Sequence, residues 1–423
     1  MTNGAVSTDE ILEALELPRS EPGIGYLEAL FARFNERVPF ESASKIVRNA
    51  DVSRLESKSR TPEIFWSDHI ESGAGGTCFA RVAAFDALLA GVGFVRRPVL
   101  GRVQSDFDHA ALRVTLEGRE WIADVGFPLP ALLPGGAEVI EEVETPRGSL
   151  RATPVARGLR VEILGGVPEG PRELELFDAP VTAEEFLEKW RKTWRQDSKF
   201  LNAVLLRREK DGRAVSFAAG EIRVDDRHSR TRIPLAVPRG PALEEQFGVA
   251  REILERALAI AGDPDPQITS AEVSVYLEVD ASARSAFDAI ASVEGYRGLM
   301  EGVADVAGEE RAGEGWRVRL QPPAIDREAS AATASAAVDE EIMPDRSALA
   351  LRVRRGGRES FYQALDRGGR TFLLRRLVLE GARPDLLRND SLRGRFAGAL
   401  AVDLLAWARR LSRGTVWSLR SKV

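Results

Sequence analysis

The sequence predicts an α+β protein of at least two domains, and three observations lead to that class. The chain has 423 residues, more than one hydrophobic core ordinarily organises. Its apolar spacing is helical up to Gly93 and alternates thereafter, so helices precede strands. The run Asp263-Pro264-Asp265-Pro266 then interrupts both patterns, because two prolines in a short polar stretch resist helix and strand alike. Together these give a first domain over residues 1–262, a linker over 263–270 and a second domain over 271–423.

The elements follow in order. Ser7-Thr8-Asp9-Glu10 has capping-box spacing ahead of Ile11, Leu12 and Leu15, and Pro18 ends that helix. Leu27, Leu30, Phe31 and Phe34 form the buried stripe of a second helix that stops before Pro39. A third opens near Cys78 and buries Val82, Phe85, Leu88 and Leu89 before Gly91 and Gly93. Strands are expected over Phe94–Val103, Ala110–Leu116 and Arg119–Val125, with Glu117-Gly118 turning between the last two. Further strands are expected at Leu159–Leu164 and Phe200–Arg207, and helices at Thr182–Trp190 and Glu244–Ile260. Beyond the linker come a strand over Ala271–Val279, a short helix over Ser282–Ala291 and more strands. A long amphipathic helix with the stripe Leu392, Phe396, Leu400, Leu404, Trp407 and Leu411 follows.

Composition excludes several function classes. With 44% hydrophobic and 29% charged residues the chain reads as an ordinary globular protein, without the apolar run of a membrane span. Met1-Thr2-Asn3-Gly4 lacks the basic start and apolar core of a signal peptide, so the expected address is cytoplasmic. A net charge of −6 disfavours nucleic acid as a partner. The three histidines, His69, His109 and His228, show no metal-ligand spacing, so no metal is expected. A single cysteine forms no internal disulfide, and any thiol chemistry must fall to Cys78.

Gly75-Gly76-Thr77-Cys78 places that thiol after a flexible turn and at a helix start. Unpaired N–H groups and the helix dipole would stabilise a thiolate there, and the glycines would let an acyl carbonyl approach backbone donors. If Glu117-Gly118 is a two-residue turn, Leu116 faces Arg119 and cross-strand residue numbers sum to 235. Ala111 then opposes Asp124, and His109, two residues earlier, lies on the same face diagonal to that carboxylate. A histidine oriented by an aspartate keeps one ring nitrogen free to accept a thiol proton. The candidate catalytic set is therefore Cys78, His109 and Asp124. Each of these residues taken singly also fits a bland role: a buried thiol, a strand-start histidine, a strand-end aspartate.

Pro39-Phe40-Glu41, Gly75-Gly76-Thr77-Cys78-Phe79, Asp108-His109 and Asp124-Val125-Gly126-Phe127 resemble, in that order, the motifs of arylamine N-acetyltransferases. Asp197-Ser198-Lys199-Phe200-Leu201-Asn202, running into Asp211-Gly212-Arg213, resembles a later segment of that family, so the likeness spans roughly residues 8–260. The resemblance implies a cysteine-protease-like transferase fold, with a helical subdomain holding the cysteine, a β-barrel holding histidine and aspartate, and an α/β lid. It implies acetyl-CoA or another acyl-CoA as co-substrate, no permanently bound cofactor, and a small-molecule amine as acceptor. By position Phe40 and Phe127 match residues lining the family's acceptor pocket, though ordinary aromatic core fits them equally. The sequence departs from the pattern in places. Ala74 stands for the usual arginine, which leaves Glu41 without its expected partner; after Cys78-Phe79, where glutamate and soon asparagine are usual, Ala80, Arg81 and Val82 follow; and Pro128 stands for a common glycine.

Residues 271–413 resemble the helix-grip fold of START-type and polyketide-cyclase-like (SRPBCC) domains, through Ala281–Phe287, Val293-Glu294-Gly295-Tyr296, Met300-Glu301-Gly302-Val303, Trp316 and the closing helix. That likeness implies a cavity for an apolar ligand. Arg409, Arg410 and Arg413 read as a solvated helix end, and Arg354–Arg358 and Arg367–Arg370 as polar hairpin turns. The leading function is an acyltransferase fused to a ligand-binding domain. The same triad also fits a thiol hydrolase or transglutaminase-like enzyme. The missing arginine and glutamate also fit an inactive binding or carrier protein.

Overall fold

A computed structural model describes residues 6–135, 140–164, 173–266, 270–300, 305–321, 338–355, 358–367, 369–379 and 390–412. It divides into two compact units. The first comprises residues 1–227 and 234–267, and the second comprises residues 228–233 and 268–423. The second unit thus takes in residues 228–233, from within the stretch that the sequence assigns to the first domain, because that strand pairs with Ala271–Val279 (Thr231 opposite Val273).

The first unit opens with α1 (Thr8–Ala14), whose Ser7 and Glu10 form the expected reciprocal cap, and α2 (Ile24–Arg37). After the short strand β1 (Phe40–Glu41) come α3 (Ala43–Asp51) and α4 (Pro62–Ser72), which the spacing did not announce. Helix α5 (Cys78–Gly91) begins on the cysteine itself and is apolar on most sides, as befits a helix buried over much of its length. Leu27, Leu30, Phe34, Phe65, Phe85, Leu88 and Leu89 are fully buried around it and form the core of the helical part.

Strands β2 (Val95–Arg102), β3 (Asp106–Leu116) and β4 (Arg119–Ala123) follow. They belong to an eight-stranded, barrel-like antiparallel sheet whose remaining members are Leu133–Pro134, Glu141–Thr145, Gly148–Val155, Gly158–Leu164 and Glu173–Phe177. The β3–β4 register is the one the turn dictates, with Leu112 opposite Ala123 and Leu116 opposite Arg119. Glu117 and Gly118 both take the positive φ such a turn requires.

Two expectations fail for local reasons. Residues 200–207 do not form one strand, because Lys199–Asn202 is a helical turn and the strand starts only at Leu206. Residues 244–260 do not form one helix: Gly248, at φ 73°, ends Gly240–Phe247 before Arg251–Ala261 begins.

The second unit is an antiparallel sheet in the order 229–234, 271–279, 370–379, 358–367, 350–355, 338–345, 315–321, 305–312. The long helix Asp390–Ser412 packs on Ala271–Val279 and Arg370–Leu379. Its Leu400, Leu404 and Trp407 are buried, as the stripe requires, and the Trp407 indole N–H donates to the Ala286 carbonyl at 2.9 Å. Met300 is buried, but Glu301–Val303, Gly356, Gly357, Gly368, Ala329–Ala337 and Arg413 lie outside the described residues, as do the side chains of Leu392, Arg409 and Arg410.

Candidate active site

Three elements of the first unit converge on the thiol. Cys78 is the first residue of α5, and the Thr77 side chain makes no cap, so the first-turn N–H groups keep no side-chain acceptor. The glycines before it have a different role from the one the sequence suggested. A Cβ on Gly75 would overlap the Pro39 carbonyl, and the Gly76 N–H is already donated to that oxygen at 3.4 Å. The Glu41 N–H in turn donates to the Gly76 carbonyl at 3.1 Å. The glycine pair therefore lets β1 lie against the turn, and donors for an acyl oxygen must come from the helix start.

His109 lies within β3. It is 2% exposed, and its Nε2 lies 2.8 Å from Oδ2 of the fully buried Asp124, the residue after β4. The second oxygen of Asp124 accepts the Phe127 N–H at 2.8 Å, which fixes the carboxylate plane. With Nε2 engaged, Nδ1 is the nitrogen left for Cys78. Burial alone would push His109 down. The Asp124 charge and hydrogen bond, with Cys78 adding to them, instead raise it from its ordinary 6.5 to about 10. Gly126 marks how closely the pieces meet, since a Cβ there would stand 3.0 Å from both Cys78 Cβ and His109 Cε1. The Cys78 sulfur also lies 3.8 Å from the Asp108 carbonyl, while the Asp108 carboxylate accepts the N–H groups of Val103, Gln104 and Ser105 at 2.8–3.0 Å. That closed turn fixes the entry of β3 into the site. All three sequence-predicted residues are thus brought together.

The surroundings depart from the family's pattern as the sequence does. With Ala74 and Ala80 small, the Arg60 guanidinium reaches in from outside the motif, hydrogen-bonds the Gly75 carbonyl and pairs with Asp68 at 3.1 Å. Glu41, fully buried, accepts instead from the Ser44 N–H and hydroxyl. Arg81, also fully buried, donates to the Val125 carbonyl at 2.7 Å, to the Val38 carbonyl and to Asn35 Oδ1 at 2.7 Å. Burial lowers Arg81 to about 9 against the pull of Asp124, Glu41 and Glu209. It ties the strand end carrying Asp124 and Gly126 to α2.

Phe127 meets the His109 ring edge-on at 6.4 Å, and Phe40 meets Phe200 at 5.5 Å. Arg60 and Lys45 carried no periodic or motif signal in the sequence, because each is brought in from a separate segment. A cavity of about 300 Å³ lies elsewhere, lined by Phe31, Asn35, Leu129, Pro130, Glu209 and Gly212, and none of the three triad residues lines it.

Residues 24–157 match the family model described as N-acetyltransferase. Two curated proteins are similar: an arylamine N-acetyltransferase of Escherichia coli, 32% identical over 111 residues, and the arylamine N-acetyltransferase / N-hydroxyarylamine O-acetyltransferase of Salmonella typhimurium, 31% over 147. These alignments take in 25% and 32% of this chain, and the chain spans only 37% and 48% of the two relatives' length. Among solved structures, the arylamine N-acetyltransferase of Mycobacterium abscessus superposes at TM-score 0.51 and 20% identity, over 60% of this chain and 95% of that one. The Mycobacterium marinum enzyme in complex with CoA gives 0.51 at 17%, over 60% and 98%. A Bacillus cereus enzyme described as having a unique Cys-His-Glu catalytic triad gives 0.50 at 17%, over 57% and 98%. The family model and the curated relatives show a likeness to N-acetyltransferases over part of the chain, and the solved structures show a likeness of fold. The arylamine N-acetyltransferase fold accounts for about the first 60% of the chain, and the carboxylate here is the aspartate Asp124, where the Bacillus cereus protein is described with glutamate. Among the described residues no cluster suited to a metal ion occurs, and no helix is long and apolar enough to cross a membrane.

Proposed function

We propose that the first unit is an acyltransferase that carries an acetyl or other acyl group from coenzyme A, as a Cys78 thioester, to a small-molecule amine. The observation that carries the reading is the buried His109–Asp124 hydrogen bond of 2.8 Å, beside a thiol close enough that only glycine fits at position 126. Asp124 holds the imidazole and favours its protonated form, so the Cys78 proton rests on His109 and the sulfur attacks as thiolate. Attack on the donor's thioester carbonyl forms the S-acyl enzyme, and the coenzyme A thiolate leaves with the proton from His109. The amine then attacks, His109 takes its proton, and the Cys78 thiolate departs. First-turn N–H groups of α5 would hold the oxyanion in both halves. Phe40 and Phe127 line the acceptor side in this reading, with Phe200 packed behind Phe40.

The second unit is, in the same proposal, a helix-grip domain. What supports it is a run of antiparallel strands packed by one long helix. The buried residues there include a polar set: Tyr296 donates to Glu340, Arg375 to Asp403 at 2.9 Å, and Tyr362 to Asp403 at 3.4 Å. A ligand for this unit would be mainly apolar with a polar group for that set to meet. The test of the main reading is product formation: the full chain, given an acyl-CoA and an arylamine, should yield the N-acylated amine by mass spectrometry, and Cys78→Ser should yield none. Release of free carboxylic acid with no amide would favour the thiol hydrolase.

A further inference from the structure

One helix touches residues on both sides of the thiol. In α6 (Ala183–Lys192) the Phe186 ring meets that of Phe79, the residue after Cys78, edge-on at 5.2 Å. Three residues along the same helix face, the Lys189 ammonium stands 4.7 Å from the ring centre of Phe107. Phe107 precedes Asp108, whose carbonyl oxygen lies 3.8 Å from the Cys78 sulfur. Phe107 is unusual in two respects. Its φ is 67°, a left-handed conformation that is strained for a bulky side chain. It is also 37% exposed, although the Phe177 ring packs against it at 5.3 Å. Burial does not account for a phenylalanine here and the backbone disfavours one. Strain of that kind gathers at ligand sites.

Lys189 is the cation of this edge that no close carboxylate holds. Its one ion pair among the described residues is with Glu188 Oε1 at 3.9 Å, and Lys192 takes that same oxygen at 2.6 Å. The Glu185 carboxylate caps its own helix at Thr182. Arg157 is bound to Asp106 at 2.9 Å, and Arg102 to Glu175. The buried cations nearer the Gly75-Gly76 turn are engaged too. Arg60 bonds the Gly75 carbonyl and Asp68, Arg81 bonds Val125, Val38 and Asn35, and Lys45 bonds Thr193. We propose that Phe107 and Lys189 are specificity-determining residues, a rim that recognises an anionic group of a substrate. The body of the substrate lies on the exposed Phe107 ring, and the Lys189 ammonium pairs with the anion. This inference rests on the acyl-transfer reading above. Within it two groups carry that chemistry, the phosphates of the coenzyme A donor and a carboxylate on the amine acceptor.

The test is calorimetric binding to the full chain, which needs no turnover. Its probes come in pairs: coenzyme A with pantetheine, which lacks the phosphates, and 4-aminobenzoate with aniline, which lacks the carboxylate. Lys189→Met should weaken an anionic probe about fivefold and its uncharged counterpart by less than about twofold, and roughly 0.5 M salt should abolish the difference from wild type. Loss on coenzyme A assigns the rim to the donor, and loss on 4-aminobenzoate assigns it to the acceptor. Phe107→Gly relieves the positive φ and removes only the ring, so it should weaken that probe and its uncharged counterpart alike, by about threefold or more. Three results would each overturn the proposal: both anions bound by Lys189→Met as by wild type, an equal loss on charged and uncharged probes, or no binding of either anion to wild type. Coenzyme A bound through Lys189 by a protein that acetyl-CoA never acetylates would instead refute the acyl-transfer reading and leave the rim standing.

Discussion

Gly126 offers a direct probe of how tightly the site is assembled. Its φ is not in the left-handed region, so alanine meets no backbone objection there, and only space decides. The added methyl would stand 3.0 Å from Cys78 Cβ and His109 Cε1, about 0.5 Å inside an ordinary carbon–carbon contact of roughly 3.5 Å. It would press harder still on the Ala110 carbonyl, which belongs to the same strand as His109. The strand does not yield freely there, because Ala110 is paired with Leu100 of β2. The thiol and imidazole must therefore separate. Since a displacement of about 1 Å can cost a hundredfold in rate, Gly126→Ala should slow acylation of Cys78 by about 10- to 100-fold. The strain should lower stability by about 1–3 kcal/mol or more, since the nearest atom is a backbone oxygen. Stopped mass-spectrometric sampling of the acyl adduct, beside a urea titration, measures both. A variant that is folded and acylates at the wild-type rate would show that Cys78 and His109 do not work as a pair.

Three further outcomes are expected. Arg81→Met strips donors from the buried Val38 and Val125 carbonyls and from Asn35, and should destabilise the first unit by about 3 kcal/mol or more in urea; a loss under about 1 kcal/mol would contradict the role given to Arg81. The folded His109 value of about 10 lies above the unfolded 6.5, so the stability it contributes is full below pH 6.5 and lost as pH rises through 10. The unfolding temperature should accordingly fall more steeply over that window in wild type than in His109→Gln, and equal slopes would refute the pairing with Asp124. Trp407→Ala removes a fully buried indole and should cost the second unit about 3–5 kcal/mol, while Cys78 alkylation stays unchanged if the units fold separately; coupled loss of thiol reactivity would argue against separable units.

Much of the candidate site's geometry was legible because a turn sets it. Once Glu117-Gly118 is a two-residue connection, the pairing of β3 with β4 follows, and with it the shared face of His109 and Asp124. The start of α5 at Cys78 was legible for the same kind of reason, a glycine turn ahead of an apolar run. What surrounds the triad was not. Lys45, Arg60 and Arg81 are polar residues buried by long-range contacts, and nothing in local spacing distinguishes them from surface cations. The helix α4 has Thr61 and Pro62 at its start but only a weak apolar stripe, so its pattern stayed silent. Phe200 shows the converse failure: an apolar run that looked extended is a single helical turn, set by packing against α3 and Phe40.

The central claim is that acyl transfer passes through a thioester on the one cysteine. The full chain should be mixed with acetyl-CoA without any acceptor and its intact mass read at once. The account predicts an increase of one acetyl group, located to Cys78 by peptide mapping, discharged on adding an arylamine, and absent in Cys78→Ser and His109→Ala. Turnover of donor and amine by a protein that never carries the acetyl group, or that carries it undiminished in Cys78→Ser, would contradict the account.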